Sequence, residues 1–466
     1  MRVAVIAGDS YTEGGLPMPA FFRFDEVSMR LPALTLLFAV VLAPFVAADD
    51  WPQFRGPDRT GISKEKGLLL AWPKAGLKPA WVFKDAGLGF SSVAVVKGVV
   101  YTLGTDAKMS EEFIIALDEK TGKELWRHSI APLYTYKGNT YGDGPRATPT
   151  VDGNLLYALS GDGQLVCVDI TQKGKEVWRK HLVKDLGGVP MDKYGFSESP
   201  LVDGKHLICS PGGAKGTLVC LDKTNGNVIW QSAGFTHTAP FSSPIVAELH
   251  GVRQYIQASY DATLGKEWGA VSGFDAKTGK ALWSGTIFKG TNDLNGIGMT
   301  PIVSGDIVYI SSVIGGGHAF EIDNKQTAKA IYSKAASKKV RNAHGGMVLL
   351  DGHLYGHSER KRWVCQELKT GAIKWDENQI FPCDSGSLIA ADGLLFLYSD
   401  EGEVGLAKAD PKNFAIISSF ALPEKSKIPQ TRVTSRMARA WAHPALANGH
   451  LYVRDHEYLY AFKVAK

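Results

Sequence analysis

The chain predicts an all-β fold: an eight-bladed β-propeller of four-stranded antiparallel blades, closed by its own N-terminal strand. Three observations predict it. A short strand, a glycine-containing turn and a second strand recur eight times, spaced 41 to 56 residues apart. An eleven-residue block also recurs: "ALDEKTGKELW" (116–126), "CLDKTNGNVIW" (220–230), "GFDAKTGKALW" (273–283) and "CQELKTGAIKW" (365–375). Finally, one strand is surplus at the start and one is missing at the end.

Each blade begins with a short apolar strand A. A turn follows, at Lys97-Gly98, Asp152-Gly153, Asp203-Gly204, His250-Gly251, Ser304-Gly305, Asp351-Gly352, Asp392-Gly393 and Asn448-Gly449. Strand B comes next, reading "VVYTLG", "LLYALS" or "HLYVRD" in different copies. The repeated block then supplies strand C, an Asp-x-x-Thr/Asn-Gly turn and strand D. In that turn the Asp can bond the backbone and the Gly can take positive φ. Strand D carries Trp126, Trp178, Trp230, Trp283, Tyr332 and Trp375 in blades one to six, an aromatic for packing between blades. Blade seven has no Trp and is degenerate around Ile416. In "KPAWVFK", Trp81 precedes the first strand A, while the eighth copy stops after "YLYAFKV" without a strand D. If the Trp81 strand completes the last blade, the two defects cancel and the ring has protected edges.

The ends of the chain set the organisation. "MRLPALTLLFAVVLAPFVAADD" from Met29 reads as a signal peptide ending at Ala48. Residues 1–28 fit no part of such a signal and read as an over-extended start. Residues 49–75 form an entry segment, and 76–466 the propeller. No Cys follows the cleavage site, so no lipid anchor is expected, and no later apolar run could span a bilayer. The expected location is the periplasm or the exterior. Without residues 1–48 the chain has 49 basic and 43 acidic residues, net +6, which gives no reason to expect nucleic acid.

Five cysteines form no C-x-x-C pattern, which removes the usual zinc and c-type haem signatures. Cys167, Cys220 and Cys365 share a repeat position with Ala116, Gly273 and Ala461, a column of small residues in the core. Cys209 and Cys220 lie on neighbouring strands of blade three, where a disulfide can be considered.

The repeat "DG-x-x-Y … ALD-x-x-TG-x-x-LW" resembles the pyrroloquinoline-quinone-type β-propeller repeat. That repeat occurs in quinoprotein alcohol dehydrogenases and in the propeller lipoprotein of the outer-membrane β-barrel assembly machinery. "DWPQFRGPDRTGIS" (50–63) also looks like the entry segment of secreted, non-lipidated propellers of this kind. The resemblance implies the fold, and either of two activities. A dehydrogenase would need the quinone and calcium, typically with adjacent cysteines that this chain lacks. A scaffold would need neither.

The connections from strand D to the next strand A should converge on one face of the central channel. Just inside strand A runs a column of Ser92, Thr148, Ser199, Ser243, Thr300, Gly346, Ser387 and His443. Hydroxyls there can cap their own strands. Around the column stand Arg146, Glu198, His344, Asp384, Arg439, Trp441 and His443. Convergent polar groups at a concave mouth make a candidate binding site. Three connections are long: 129–146 with Tyr134, Tyr136 and Tyr141, and the basic 333–344 and 423–443. The expectation is an exported, non-catalytic propeller that binds a protein or other macromolecule at the cell envelope through this mouth. It has no catalytic or metal residues and no cofactor. The alternative is a quinone-dependent dehydrogenase, with Asp384 or Glu198 as base.

Overall fold

A computed structural model describes residues 50–136, 142–261, 268–289, 297–359, 362–381, 383–428 and 439–466. The expected over-extended start and signal peptide therefore lie outside the described residues, as do Tyr141 and much of the 423–443 connection. Val46–Lys466 make one compact unit of eight four-stranded antiparallel sheets. Seven blades use four strands consecutive in the chain. The eighth joins Ala445–Ala447, His450–Asp455 and Tyr458–Lys463 to the N-terminal strand Pro79–Phe83, with Trp81 opposite Ala461. The surplus strand and the missing one are the same strand.

The turns between strands A and B come in two forms. At Lys97-Gly98, His250-Gly251, Asp351-Gly352, Asp392-Gly393 and Asn448-Gly449 both residues have positive φ, the type I′ pattern. In blades two, three and five the ladder runs one residue further: Asp152 pairs with Leu155, Asp203 with His206, and Ser304 with Ile307. The turns there are Gly153-Asn154, Gly204-Lys205 and Gly305-Asp306, with glycine leading, as type II′ requires. Asp152, Asp203 and Ser304 thus end their strands instead of entering the turns.

The repeated block works by docking one blade onto the next. In blade one, Asp118 Oδ1 accepts from the Thr121 N–H (2.8 Å) and hydroxyl (2.7 Å), which fixes the turn that Gly122 completes at φ 68°. The Trp81 indole lies on that glycine and donates to Glu119 O at 2.7 Å. Trp178 docks in the same way on Gly226 and donates to Lys223 O at 3.0 Å, and Trp375 donates to Asp410 O at 2.9 Å. Tyr332 keeps the pattern through its hydroxyl, which donates to Leu368 O at 2.5 Å. Trp283 departs from it and donates to Gln254 Oε1 within its own blade. Each docked indole crosses a small residue of strand C: Ala116 pairs with Trp126, Cys167 with Trp178, Cys220 with Trp230 and Cys365 with Trp375.

All five cysteines are buried and unbridged. Cys209 pairs with Val219, and Cys220 with Ile208. The one-residue offset turns the two thiols to opposite faces of the sheet, which removes the disulfide considered from sequence.

The entry segment is a stopper. Trp51 exchanges backbone hydrogen bonds with Val95 of blade one, Pro52 O accepts from Val151 of blade two, and Gly61 and Ser63 bond Ala390 of blade seven. The Glu65 carboxylate accepts from Gly449 N–H at 2.9 Å, in blade eight. Between these anchors two arginines enter the channel from the face of the A–B turns. Arg59, 4% exposed, donates to Gln53 Oε1 (2.8 Å), Ser199 O (3.0 Å), Pro244 O (3.0 Å) and Pro200 O. Arg55 donates to Thr60 O at 2.8 Å and to Met347 O. Burial lowers these guanidinium pKa values to about 9 and about 10, so both still carry charge at neutral pH. Further along, Trp72 answers the absent tryptophan of blade seven. Its backbone N–H donates to Ser418 Oγ (2.9 Å), and its ring packs edge-on against Phe420 at 5.4 Å.

Candidate functional site

From blade one to blade four the hydroxyl column is a chain of bonds between blades, whereas Thr300 Oγ1 and Ser387 Oγ have no hydrogen-bond partner among the described residues. Ser92 N–H donates to Thr148 Oγ1 (3.2 Å), Thr148 N–H to Ser199 Oγ (2.9 Å), and Ser199 N–H to Ser243 Oγ (2.9 Å). Ser92 Oγ reaches back across the closing seam to His443 O at 2.7 Å. These hydroxyls thus serve the neighbouring blade more than their own strands. Gly346 interrupts the column for a steric reason. A Cβ there would sit 2.2 Å from Arg55 Nη1, so glycine leaves room for the stopper's guanidinium.

Above this chain of bonds is a cavity of about 350 Å³. Its floor includes Phe54 of the stopper, and its walls come from the D-to-A connections and from the B-to-C loops, which share that face. Arg146, His344, Asp384, Arg439, Trp441 and His443 all line it. Glu198 does not. It follows Ser197 and precedes Ser199, which do line the cavity, and the alternation of the extended chain leading into the strand Leu201–Asp203 turns it into the core. There it is 1% exposed, accepts from Ser210 N–H and sits near the Arg59 charge; burial pushes its pKa up to about 7.

The lining is anchored side chain by side chain. Arg439 donates to Asp400 at 2.6 Å and to Asp384 at 2.8 Å. His443 donates through Nε2 to His344 O at 2.6 Å, and its ring meets Phe54 edge-on at 4.9 Å. His344 lies 4.9 Å from Trp441 and shares a 3.3 Å hydrogen bond with Ser385 Oγ. Burial depresses both imidazoles, to about 3 for His443 and about 4 for His344, so they are neutral at ordinary pH. Arg146 turns to Gly142 O at 2.9 Å and lies over Phe90, 5.7 Å from its centroid. Behind it Glu112 is pushed up to about 7 by burial.

Other lining residues lie outside the set expected from sequence. Glu359 and Asp400 follow strand B in blades six and seven. The motifs "HLYGHSER" and "LLFLYSDE" align them, and that register was the available signal. Burial, then the nearby Asp400, push Glu359 up to about 7. Tyr194 and Phe241 extend the aromatic wall outward. Tyr136 meets Tyr194 at 5.5 Å, Tyr194 meets Phe241 at 5.9 Å, and the Lys193 ammonium lies 5.4 Å from the Tyr136 centroid. The Tyr134 hydroxyl donates to Lys193 O at 2.8 Å, tying two connections together.

Among curated proteins, a tetrathionate hydrolase of Acidithiobacillus ferrooxidans is 27% identical over 65% of this chain and 70% of its own length. An outer membrane protein assembly factor BamB of Kangiella koreensis is 26% identical over half of each chain. Solved structures with the same fold include BamB from Moraxella catarrhalis, at 14% identity and TM-score 0.57, covering 83% of this chain and 99% of that one. Quinohemoprotein alcohol dehydrogenase from Comamonas testosteroni has the same identity and TM-score, over 90% of this chain and 81% of that one. No helix among the described residues is long and apolar enough to cross a membrane. Residues 110–377, more than half of the chain, match the family described as outer membrane protein assembly factor BamB, and the chain belongs to that family of quinone-type-repeat propellers.

Proposed function

We propose that this protein is an envelope scaffold, exported to the periplasm or beyond, that binds another protein through the cavity mouth. The observation that carries the reading is the half-buried aromatic band of Tyr136, Tyr194 and Phe241 on the rim. Tyrosine and phenylalanine are enriched at interfaces, and their rings need little ordering on contact. The rest of the mouth is already fixed by hydrogen bonds and ion pairs, so a partner would meet a preorganised surface. The family description and the BamB relatives support the same reading. The test places a photo-crosslinking residue at Tyr194 and, on the opposite face, at Lys369. A discrete adduct with one envelope protein from position 194 alone is the expected result. Adducts from 369 alone would put the contact on the wrong face.

The dehydrogenase relatives supply a second reading, and the indole of Trp441 in the cavity wall is the feature that favours it. The pyrroloquinoline quinone is a polycarboxylate that would enter with calcium. The wall offers it Glu359, Asp384 and Asp400, with Arg439 already bonded to two of them. No group of three or more His, Cys, Asp or Glu among the described residues is arranged to hold a metal ion. The lining therefore does not fit the quinone. Tight binding of added quinone and calcium, with dye reduction by an alcohol or sugar, would reverse the order of the two readings.

A further inference from the structure

Blade three closes its C–D turn differently from blades one, four and six. Those blades set Thr121, Thr278 and Thr370 before the turn glycine, and each hydroxyl donates to the carboxylate at the head of the turn. Blade three sets Asn225 there, before Gly226, and its head carboxylate, Asp222, accepts from the Thr224 hydroxyl one position earlier, at 2.6 Å. Asn225 is exposed, whereas Gly226 is buried beneath the Trp178 indole.

An asparagine followed by glycine carries its own electrophile and nucleophile. The side-chain carbon Cγ lies one ring closure from the next backbone nitrogen, and glycine brings no Cβ to obstruct the approach. Asn225 Oδ1 accepts from the Asn227 backbone N–H at 2.8 Å, a fixed donor where negative charge gathers as a nucleophile adds to Cγ. Its exposure admits water and buffer base. The restraint is the 2.8 Å bond from Gly226 N–H to Asp222 O, which must open before the nitrogen can turn to Cγ.

Asn448–Gly449 is the contrast within the same structure. The Asn448 amide nitrogen donates to Glu119 Oε1 at 2.8 Å, and its Oδ1 has no donor among the described residues. Gly449 is buried, and its N–H donates to the Glu65 carboxylate at 2.9 Å. A third such pair, Asn295–Gly296, lies outside the described residues.

We propose that Asn225 is a site of spontaneous deamidation that loosens the docking of blade two on blade three. The Gly226 nitrogen gives its proton to solvent base and bonds to Asn225 Cγ; the Cγ–Nδ2 bond breaks, and ammonia leaves with a proton from water. Water then adds to either carbonyl of the cyclic imide, giving aspartate, or isoaspartate with one more methylene in the main chain. In sum an amide and a water become a carboxylate and ammonium, with no other reactant. The new carboxylate stands beside Asp222, whose charged form Thr224 and the Asn225 amide had held. Isoaspartate also shifts Gly226 against Trp178, where a Cβ on the glycine would already lie 2.8 Å from Cε3. The 3.0 Å bond from Trp178 Nε1 to Lys223 O is disturbed with it. The C–D turns share the face of the A–B turns, away from the cavity, so this inference does not rest on the scaffold reading.

The test incubates the full chain, folded and in denaturant, at mildly alkaline pH in heavy-oxygen water. Peptide mapping by mass spectrometry, with fragmentation that separates aspartate from isoaspartate, follows each asparagine. In the folded chain Asn225 should gain the acid mass and the label at least tenfold faster than Asn448; in denaturant the two should convert at similar rates. An Asn225 that stays an amide in the folded chain, or an Asn448 that keeps pace with it there, would overturn the proposal. Asn225→Thr, which restores the residue of blades one, four and six, tests the consequence. The aged parent should melt lower than the fresh parent, and aged Asn225→Thr should melt as it did when fresh, whatever Asn295 has done in both. Equal losses in parent and variant would overturn the loosening of blade two.

Discussion

Replacing Gly174 by alanine should cost far more than replacing Gly98, although both hold positive φ, 75° and 80°. At Gly98 a new Cβ would meet no atom within 4 Å, so the penalty is the left-handed backbone alone, about 1–2 kcal/mol. At Gly174 the Cβ would fall 2.5 Å from Trp126 Cζ3, inside any real carbon–carbon contact. Either the indole slides off the turn or the turn withdraws from blade two. Overpacking of this kind costs a further ~1–3 kcal/mol. Gly174→Ala should therefore lose about 2–5 kcal/mol in total. Guanidinium denaturation followed by far-UV circular dichroism measures both variants. A third variant isolates the cause: in a Trp126→Ala background the excess penalty at Gly174 should disappear, leaving the cost seen at Gly98. If Gly174→Ala matches Gly98→Ala to within about 0.5 kcal/mol, the resolution of such comparisons, blade docking by tryptophan on glycine is wrong.

Deleting residues 49–84 removes Arg55, Arg59, Trp72 and Trp81 together and leaves Tyr458–Lys463 as an open edge; thermal unfolding should move down sharply, and a truncated chain melting like the parent would refute closure and stopper alike. All five thiols should react in denaturant without reductant, as expected from the opposed faces of Cys209 and Cys220; a mass spectrum with two thiols protected would contradict the register. Stability should be nearly flat from pH 6.5 to about 4.5, because two linkages oppose. His344 and His357 (about 4) and His443 and His456 (about 3) are depressed, so the unfolded chain takes up their protons first and stability falls as pH falls. Glu112, Glu198 and Glu359 (about 7) and Asp455 (about 6) are raised, so the folded chain holds their protons and stability rises as pH falls. Below about 4.5 the contribution of the raised glutamates is complete, and depressed carboxylates such as Asp118, Asp203 and Asp222, held down by hydrogen bonds to their charged forms, add their loss to that of the histidines, so stability falls as pH falls. Urea midpoints at pH 4, 5 and 6.5 check this, and a steady decline across the whole range would refute it.

The blades were legible because their cause repeats. An indole, the small residue it crosses and the glycine it lands on recur at fixed offsets, so even the misplaced Trp81 could be assigned. Most of the mouth was legible for a related reason, since groups that break a repeat stand out against it. The failures have equally definite causes. Glu198 was assigned by nearness to the column, and the alternation of strand residues was not followed through. The B-to-C loops were passed over as a source of cavity residues, which hid Glu359 and Asp400. Arg55 and Arg59 act on backbone carbonyls, and carbonyls leave no mark in a sequence. Nothing in "QFRGPDR" tells a stopper from a solvated leader, although the glycine that breaks the hydroxyl column at Gly346 is the trace Arg55 leaves elsewhere.

The stopper also constrains the order in which this chain can fold. Its contacts are among the most distant in the chain: Arg55 with Met347 spans 292 residues, Trp72 with Ser418 spans 346, and Glu65 with Gly449 spans 384. Contacts of such separation pay for loop closure before they return anything, and they slow folding. A segment synthesised before the blades that hold it is therefore among the last to find its place. Until blades six to eight exist, Arg55, Glu65, Trp72 and the strand Pro79–Phe83 lack their partners, whereas Arg59 can already reach the carbonyls of blades three and four. A chain halted before Tyr458 carries that strand without its partner, an open edge able to pair with another molecule.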